Sequence, residues 1–181
     1  MKTQYFTATS FDGYIADENN SLDWLSGVAG RGESPFGEFF QDVGAFAMGA
    51  TTYEWILALD DPQAWLGPYG DTPAWIFTNR GLPAVPGADI HFVRGDVRPV
   101  HAAMTRAAAG RNLWLAGGGD LVGQFDDAGL LDEVILGVAP VALGAGAPVL
   151  PRRILSSRLT LTSARQLGPF AYLTYDLHTP A

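Results

Sequence analysis

Short apolar runs alternating with helix-patterned stretches constrain this chain more than any other feature. Residues 2–9, 45–49, 74–78, 90–93, 112–116 and 134–139 read as strands, without a clean apolar–polar alternation. Runs of that kind fit strands covered on both faces. Between them, apolar residues at helical spacing predict helices. Ser34 and Pro35 open one that carries Phe36, Phe39, Phe40 and Val43 and stops at Gly44. Thr51 or Thr52 caps a second, bearing Tyr53, Ile56 and Leu57. A third runs over 100–109 to Gly110, and a fourth follows Gly117-Gly118-Gly119. Residues 17–32 read as a long loop with an aromatic anchor, and 58–72 as another loop. Residues 158–163 and 172–177 read as a closing antiparallel pair. The alternation predicts one α/β domain over 1–181, with a central, mostly parallel, twisted sheet and helices on both faces.

Composition narrows the chemistry. The chain has 181 residues, 11 basic against 19 acidic, and a net charge of −8, so neither nucleic acid nor an anionic membrane is expected as partner. It has no cysteine, which excludes thiol nucleophiles, disulfides and Cys-ligated zinc. Lys2 is its only lysine, so a Schiff-base lysine within a site is not expected. The N-terminal residues lack the apolar stretch of a secretory signal, and no apolar run reaches membrane-spanning length. A cytoplasmic protein is expected.

In sheets of this kind ligands bind at the carboxyl ends of the strands. Three ends carry unusual groups. Gly117-Gly118-Gly119 precedes a helix, a place where a backbone can approach a pyrophosphate and offer free N–H groups. The dinucleotide fingerprint is not met, since Val122 stands where its third glycine belongs, and no Gly-Lys-Ser/Thr phosphate loop exists. Asp120 would repel a phosphate there unless it points away. Gly49 with Thr51 and Thr52 offers hydroxyls at a helix start, either as a phosphate site or as caps. Thr78-Asn79-Arg80 offers a guanidinium, either as a phosphate partner or in a solvated turn. Three such ends in one sheet fit an extended diphosphate cofactor.

For acid–base work Asp12 stands on the turn after the first strand, as a catalytic carboxylate or an Asp-Gly turn residue. Glu33 and Glu38 flank or enter the first helix. Trp24 is a loop anchor or a lid over a planar ligand. His91, His101 and His178 share no ligand spacing, so no metal site is expected. No G-x-S-x-G elbow occurs.

Ser10-Phe11-Asp12-Gly13-Tyr14-Ile15-Ala16 resembles the S-x-D-G-x-I-A segment of the dihydrofolate-reductase-like superfamily. Leu22-Asp23-Trp24-Leu25, Met48-Gly49-Ala50-Thr51-Thr52-Tyr53-Glu54, Leu115-Ala116-Gly117-Gly118-Gly119, Leu131-Asp132-Glu133 and the segment from Ala139 to Leu150 are similar, in order, to the reductase domain of the riboflavin-biosynthesis deaminase-reductase proteins and their stand-alone relatives. The resemblance implies a dihydrofolate-reductase-like fold, an NADPH-dependent reduction and a homodimer. It implies that Gly49, Thr51, Thr52, Thr78, Asn79 and Arg80 hold the adenosine-phosphate end of the cofactor. Gly117, Gly118, Gly119 and Leu121 would hold the pyrophosphate and nicotinamide, with Ala8 and Ile15 bordering the ring. Asp12 and Trp24 would face the substrate.

Ala50 replaces the family's arginine, so NADH is not excluded, and Arg80 offers compensation. No residue matches the substrate carboxylate of folate reductases. Before Arg80 the only basic side chains are Lys2 and Arg31, a poor setting for a phosphorylated ribosyl-pyrimidine. The residues therefore point to a neutral planar, carbonyl or imine substrate beside Trp24, Phe36, Glu38 and Phe40, with Asp12 managing the proton at a raised pKa. Two alternatives stand: a module that binds NADP(H) without turnover, and a riboflavin-pathway reductase.

Overall fold

The computed structural model describes residues 1–178 apart from Arg31 and Glu33, so the expectations placed on those two lie outside the described residues. In chain order the elements are β1 (Thr3–Ser10), β2 (Tyr14–Ala16), α1 (Asp23–Ser26), α2 (Phe36–Gln41), β3 (Val43–Gly49), α3 (Ala50–Leu57), α4 (Gln63–Tyr69), β4 (Ala74–Phe77), β5 (Ile90–Val93), α5 (Val97–Ala108), β6 (Asn112–Gly117), α6 (Gly119–Asp127), β7 (Glu133–Ala139), β8 (Ala147–Pro148), a 3₁₀ turn at Ser156–Arg158, β9 (Leu159–Leu167) and β10 (Phe170–Leu177).

Eight strands form one sheet in the order β5-β4-β3-β6-β1-β7-β10-β9. From β5 to β7 every pairing is parallel, and β10 is antiparallel to both β7 and β9. This is a dihydrofolate-reductase-like sheet. β2 and β8 make a small separate pair above it.

Side-chain alternation along β3 explains why both faces are covered. Ala45 and Ala47 face one way, into a core with Tyr5, Leu113 and Leu115 beneath Val100 and Met104 of α5 and Phe125 of α6. Phe46 and Met48 face the other way, into a core with Trp114, Ile76, Tyr53 of α3 and Trp65 of α4.

Two predicted boundaries are corrected. The helix opened by Ser34 ends at Gln41, and Gly44 lies within β3. Glycine is needed there because a Cβ would come within 2.7 Å of Ala108 Cα, where the end of α5 crosses the strand. Residues 58–72 are not all loop. α4 forms despite Gly67 and Pro68, because it buries Trp65 almost completely, and Asp61 Oδ1 accepts the Gln63 N–H at 2.9 Å at its start. Among the described residues no helix is long and apolar enough to cross a membrane.

Candidate active site

The predicted strand ends come together. Three cavities of about 470, 500 and 470 Å³ lie along the carboxyl edge of the sheet. The first and third share Gly49, Ala50, Asp120 and Leu121. The first and second share Thr7, Leu22, Thr52, Trp55 and Ala116. Together they form one trough, aromatic at one end and arginine-bearing at the other.

The first cavity is walled by Ile15, Gly49, Thr51, Thr52, Gly118, Gly119 and Leu121. Gly117 adopts φ +123°, a conformation suited to glycine, and its peptide to Gly118 is cis. A Cβ built on Gly117 or Gly118 would lie 4.0 Å from Ile15 Cδ1, so Ile15 roofs the glycine turn.

The helix starts at this trough carry no side-chain cap, and neither do those of α1, α2 and α4; among the described helices only α5 has one. The side chain of Asp96 caps α5 by accepting the Arg98 N–H. α3 begins after Gly49 and α6 after Gly118, and neither has a side-chain cap. Thr51 and Thr52 therefore do not cap; they lie in the first turn of α3 with both residues on the cavity wall. Two sets of first-turn N–H groups face the trough with their helix dipoles positive. That donor set fits an elongated diphosphate, and the closely approaching glycines fit a ligand backed directly on main chain.

Asp120 lies on the wall of the first and third cavities, but its carboxylate is engaged rather than free. Its carboxylate accepts from Gln124 Nε2 and from Arg152 Nη1, each at 3.1 Å, and these two contacts hold its pKa below the ordinary carboxylate value.

The third cavity holds Thr78, Asn79 and Arg80 as predicted, together with Arg94, which sequence reasoning missed. Arg80 Nη1 is bound to Glu54 Oε1 at 2.8 Å, so its guanidinium is already engaged. Arg94 makes no hydrogen bond or ion pair among the described residues. The signal was available: Arg94 follows β5 and precedes Gly95, another strand end of the kind that marked the other three.

The second cavity is aromatic. Phe6, Phe36, Tyr69, Trp114, Phe170 and Tyr172 line it, with Ala8 and Gly137 at its floor. Rings behind it brace it: Phe6 stacks on Phe39 at 4.6 Å, and Phe36 packs on Trp114 at 5.1 Å and on Phe40 at 5.4 Å. Burial pushes the Tyr69 phenol up to about 12, so it stays protonated at neutral pH. Among the described lining residues none is charged.

Four predicted substrate-side residues sit differently from one another. Phe36 lines the second cavity, whereas Phe40 stands behind it as support. Glu38 is exposed and lines none of the three cavities. Trp24 packs with Val28, Ala139 and Phe170, so it anchors its loop rather than covering the trough. Its neighbours Leu22 and Leu25 reach the cavity instead.

Asp12 corrects the expectation of a raised pKa. The carboxylate is exposed, accepts the Ser10 hydroxyl at 2.6 Å and the Gly144 N–H at 2.7 Å, and has a lowered pKa, the Ser10 contact contributing most. It lines none of the three cavities. It fastens the 10–13 turn to the loop that leads into β8, the outer wall of the first cavity.

Known proteins share both sequence and shape. The Bacillus subtilis protein YwjB, itself uncharacterised, is 33% identical over 175 residues, 96% of this chain and 97% of its own. A candidate riboflavin biosynthesis protein from Shewanella sp. PV-4 superposes with a TM-score of 0.80 at 25% identity, covering 99% of this chain and 100% of that one. Enterococcus faecalis dihydrofolate reductase, solved with NADP(H), shares the fold at a TM-score of 0.61 and 13% identity, covering 98% and 97%. The family model described as RibD C-terminal domain matches residues 2–173, and the chain belongs to that family.

Proposed function

We propose that this protein is a reductase that uses a nicotinamide coenzyme to reduce a small, flat, uncharged carbonyl or imine compound. The observation that carries this reading is the shared wall of Thr7, Leu22, Thr52, Trp55 and Ala116 between a glycine-lined cavity and an aromatic one. A donor and an acceptor placed on either side of that wall meet edge to edge. The bound coenzyme supplies a hydride to the acceptor carbon, and water supplies the proton to its oxygen or nitrogen.

The chain's own residues bind and orient. The uncapped starts of α3 and α6, with Thr51 and Thr52, hold the diphosphate. Ile15 from above and Ala8 from the floor of the second cavity bound the nicotinamide. Thr78, Asn79, Arg80 and Arg94 surround the adenosine end, and the two arginines support NADPH over NADH despite Ala50. Phe36 and Trp114 stack against the substrate ring. Asp12 acts by position, keeping the β2–β8 wall in place. A homodimer belongs to the same reading; the exposed Leu161 and Leu167 on edge strand β9 favour one, and light scattering tests it.

The uncharged lining favours a neutral substrate over a ribosyl-pyrimidine phosphate, which would bury its phosphate beside no described cation. The test is NADPH consumption against a panel of quinones, cyclic imines, pterins and a ribosylaminopyrimidine phosphate. Turnover of the neutral members supports the reading; turnover of the phosphate alone overturns the substrate class. A second reading, coenzyme binding without turnover, is favoured by the lack of any carboxyl or imidazole on the described lining of the second cavity. Saturable NADPH binding with no consumption across the whole panel establishes that reading.

A further inference from the structure

Arg152 lies across one face of α6. Its guanidinium donates from Nε to Asp127 Oδ2 at 2.9 Å in the last turn and from Nη1 to Asp120 Oδ1 at 3.1 Å in the first. Nη1 also donates to the Pro151 carbonyl at 3.0 Å. Asp120, Gly123, Gln124 and Asp127 are spaced i, i+3, i+4 and i+7, one stripe of a helix. Gly123 makes the crossing possible, since a Cβ there would come within 2.6 Å of Arg152 Cζ. The arginine is thus fitted to the helix along its length, and its side chain is only 23% exposed.

Asp120 poses the problem this arrangement answers. It is the one acidic residue in the first turn of α6 and it lines both the first and the third cavity. A free carboxylate there sits beside the N–H groups that a diphosphate needs, and like charges repel. We infer that Arg152 is a positioning residue for coenzyme binding: it holds the Asp120 carboxylate along the α6 stripe and offsets its charge, so that the α6 start can take an anion. It acts through Asp120 rather than by touching the coenzyme. The inference rests on the coenzyme reading above and adds a residue to it.

The experiment is a double-mutant cycle on NADPH affinity, read by tryptophan-to-coenzyme energy transfer. Arg152→Gln weakens NADPH about three- to five-fold, as expected for an exposed charge pair. Asp120→Asn binds at least as tightly as the unaltered protein. In the Asp120→Asn background the Arg152→Gln change has no further effect, because the charge it managed is gone. Gly123→Ala, which displaces the guanidinium while leaving its charge in the chain, gives the same weakening and the same rescue, and it stands in if Arg152→Gln does not fold. Equal affinity of Arg152→Gln and the unaltered protein overturns the inference, and so does a loss that persists undiminished beside Asp120→Asn. Failure of the unaltered protein to bind NADPH overturns the coenzyme reading and this inference with it.

Discussion

Asp12 Oδ2 accepts the Gly144 N–H at 2.7 Å, pinning the turn after β1 to a loop 132 positions further along the chain. Ser10 and Leu143 donate to the same carboxylate. These donors favour the charged form, so the folded pKa lies below the ordinary 3.8. The contact therefore contributes above the unfolded pKa and is lost as pH falls through the folded one. Amide exchange at Gly144 is expected to stay protected at and just below 3.8 and to accelerate only in stronger acid; acceleration beginning above 3.8 refutes this. Asp12→Asn is expected to speed that exchange at neutral pH and, under the positional role proposed above, to lower turnover without changing the shape of the pH–rate profile.

Arg80 and Arg94 reach the same cavity, but among the described residues only Arg80 is bound, by Glu54 at 2.8 Å. Arg94→Ala is expected to weaken NADPH by about ten-fold and NADH by less than two-fold, the order expected for losing one charge-assisted contact to a phosphate. Glu54→Gln is expected to release Arg80 and tighten NADPH. Parallel titrations with the two coenzymes check both; equal losses for NADPH and NADH after Arg94→Ala would place the guanidinium elsewhere.

Gly119 opens α6 under the β8 segment. A Cβ there would collide with the Pro148 carbonyl oxygen and approach the Val149 carbonyl oxygen to 2.6 Å. Both obstacles are main chain and cannot rotate aside. Gly119→Ala is expected to cost about 1–3 kcal/mol in urea unfolding, as overpacking does, and to abolish coenzyme binding. An alanine variant as stable as the parent would show that β8 shifts freely.

Gly137 and Tyr172 face each other across β7 and β10 on the second cavity. A Cβ on Gly137 would come within 2.8 Å of the Tyr172 ring and push it toward the substrate. Gly137→Ala is expected to raise KM for the larger panel compounds at least five-fold, about the 1 kcal/mol expected of a misfit ring, with NADPH affinity unchanged. Coenzyme affinity that drops in step with KM would mean that the two cavities are not separable.

The strands were readable because each is a short apolar run bounded by turn residues, and β5 was located to the residue. The trough was readable from glycines and hydroxyls at strand ends, since backbone approach and free N–H groups demand those residue types. α4 was hidden because Gly67 and Pro68 look like breakers, while the burial of Trp65 that overrides them is tertiary. Most of the aromatic cavity was hidden for a similar reason. Phe6, Tyr69, Trp114 and Tyr172 come from four separate elements, and nothing local marks them as neighbours. Asp12 keeps two readings in the sequence because an Asp-Gly turn looks alike whether or not its carboxylate serves a reaction; that it binds the amides of a distant loop is a tertiary fact.

The antiparallel return of β10 beside β7 has a consequence for the order in which the molecule is completed. Every residue of the glycine-lined and arginine-bearing cavities precedes position 152, whereas the aromatic cavity takes Phe170 and Tyr172 from the final strand. A ribosome making this chain delivers all the walls that would grip a coenzyme before it delivers the last wall that would select what the coenzyme reduces. A nascent chain halted before residue 170 carries every residue of the glycine-lined and arginine-bearing compartments and leaves the aromatic one missing one side.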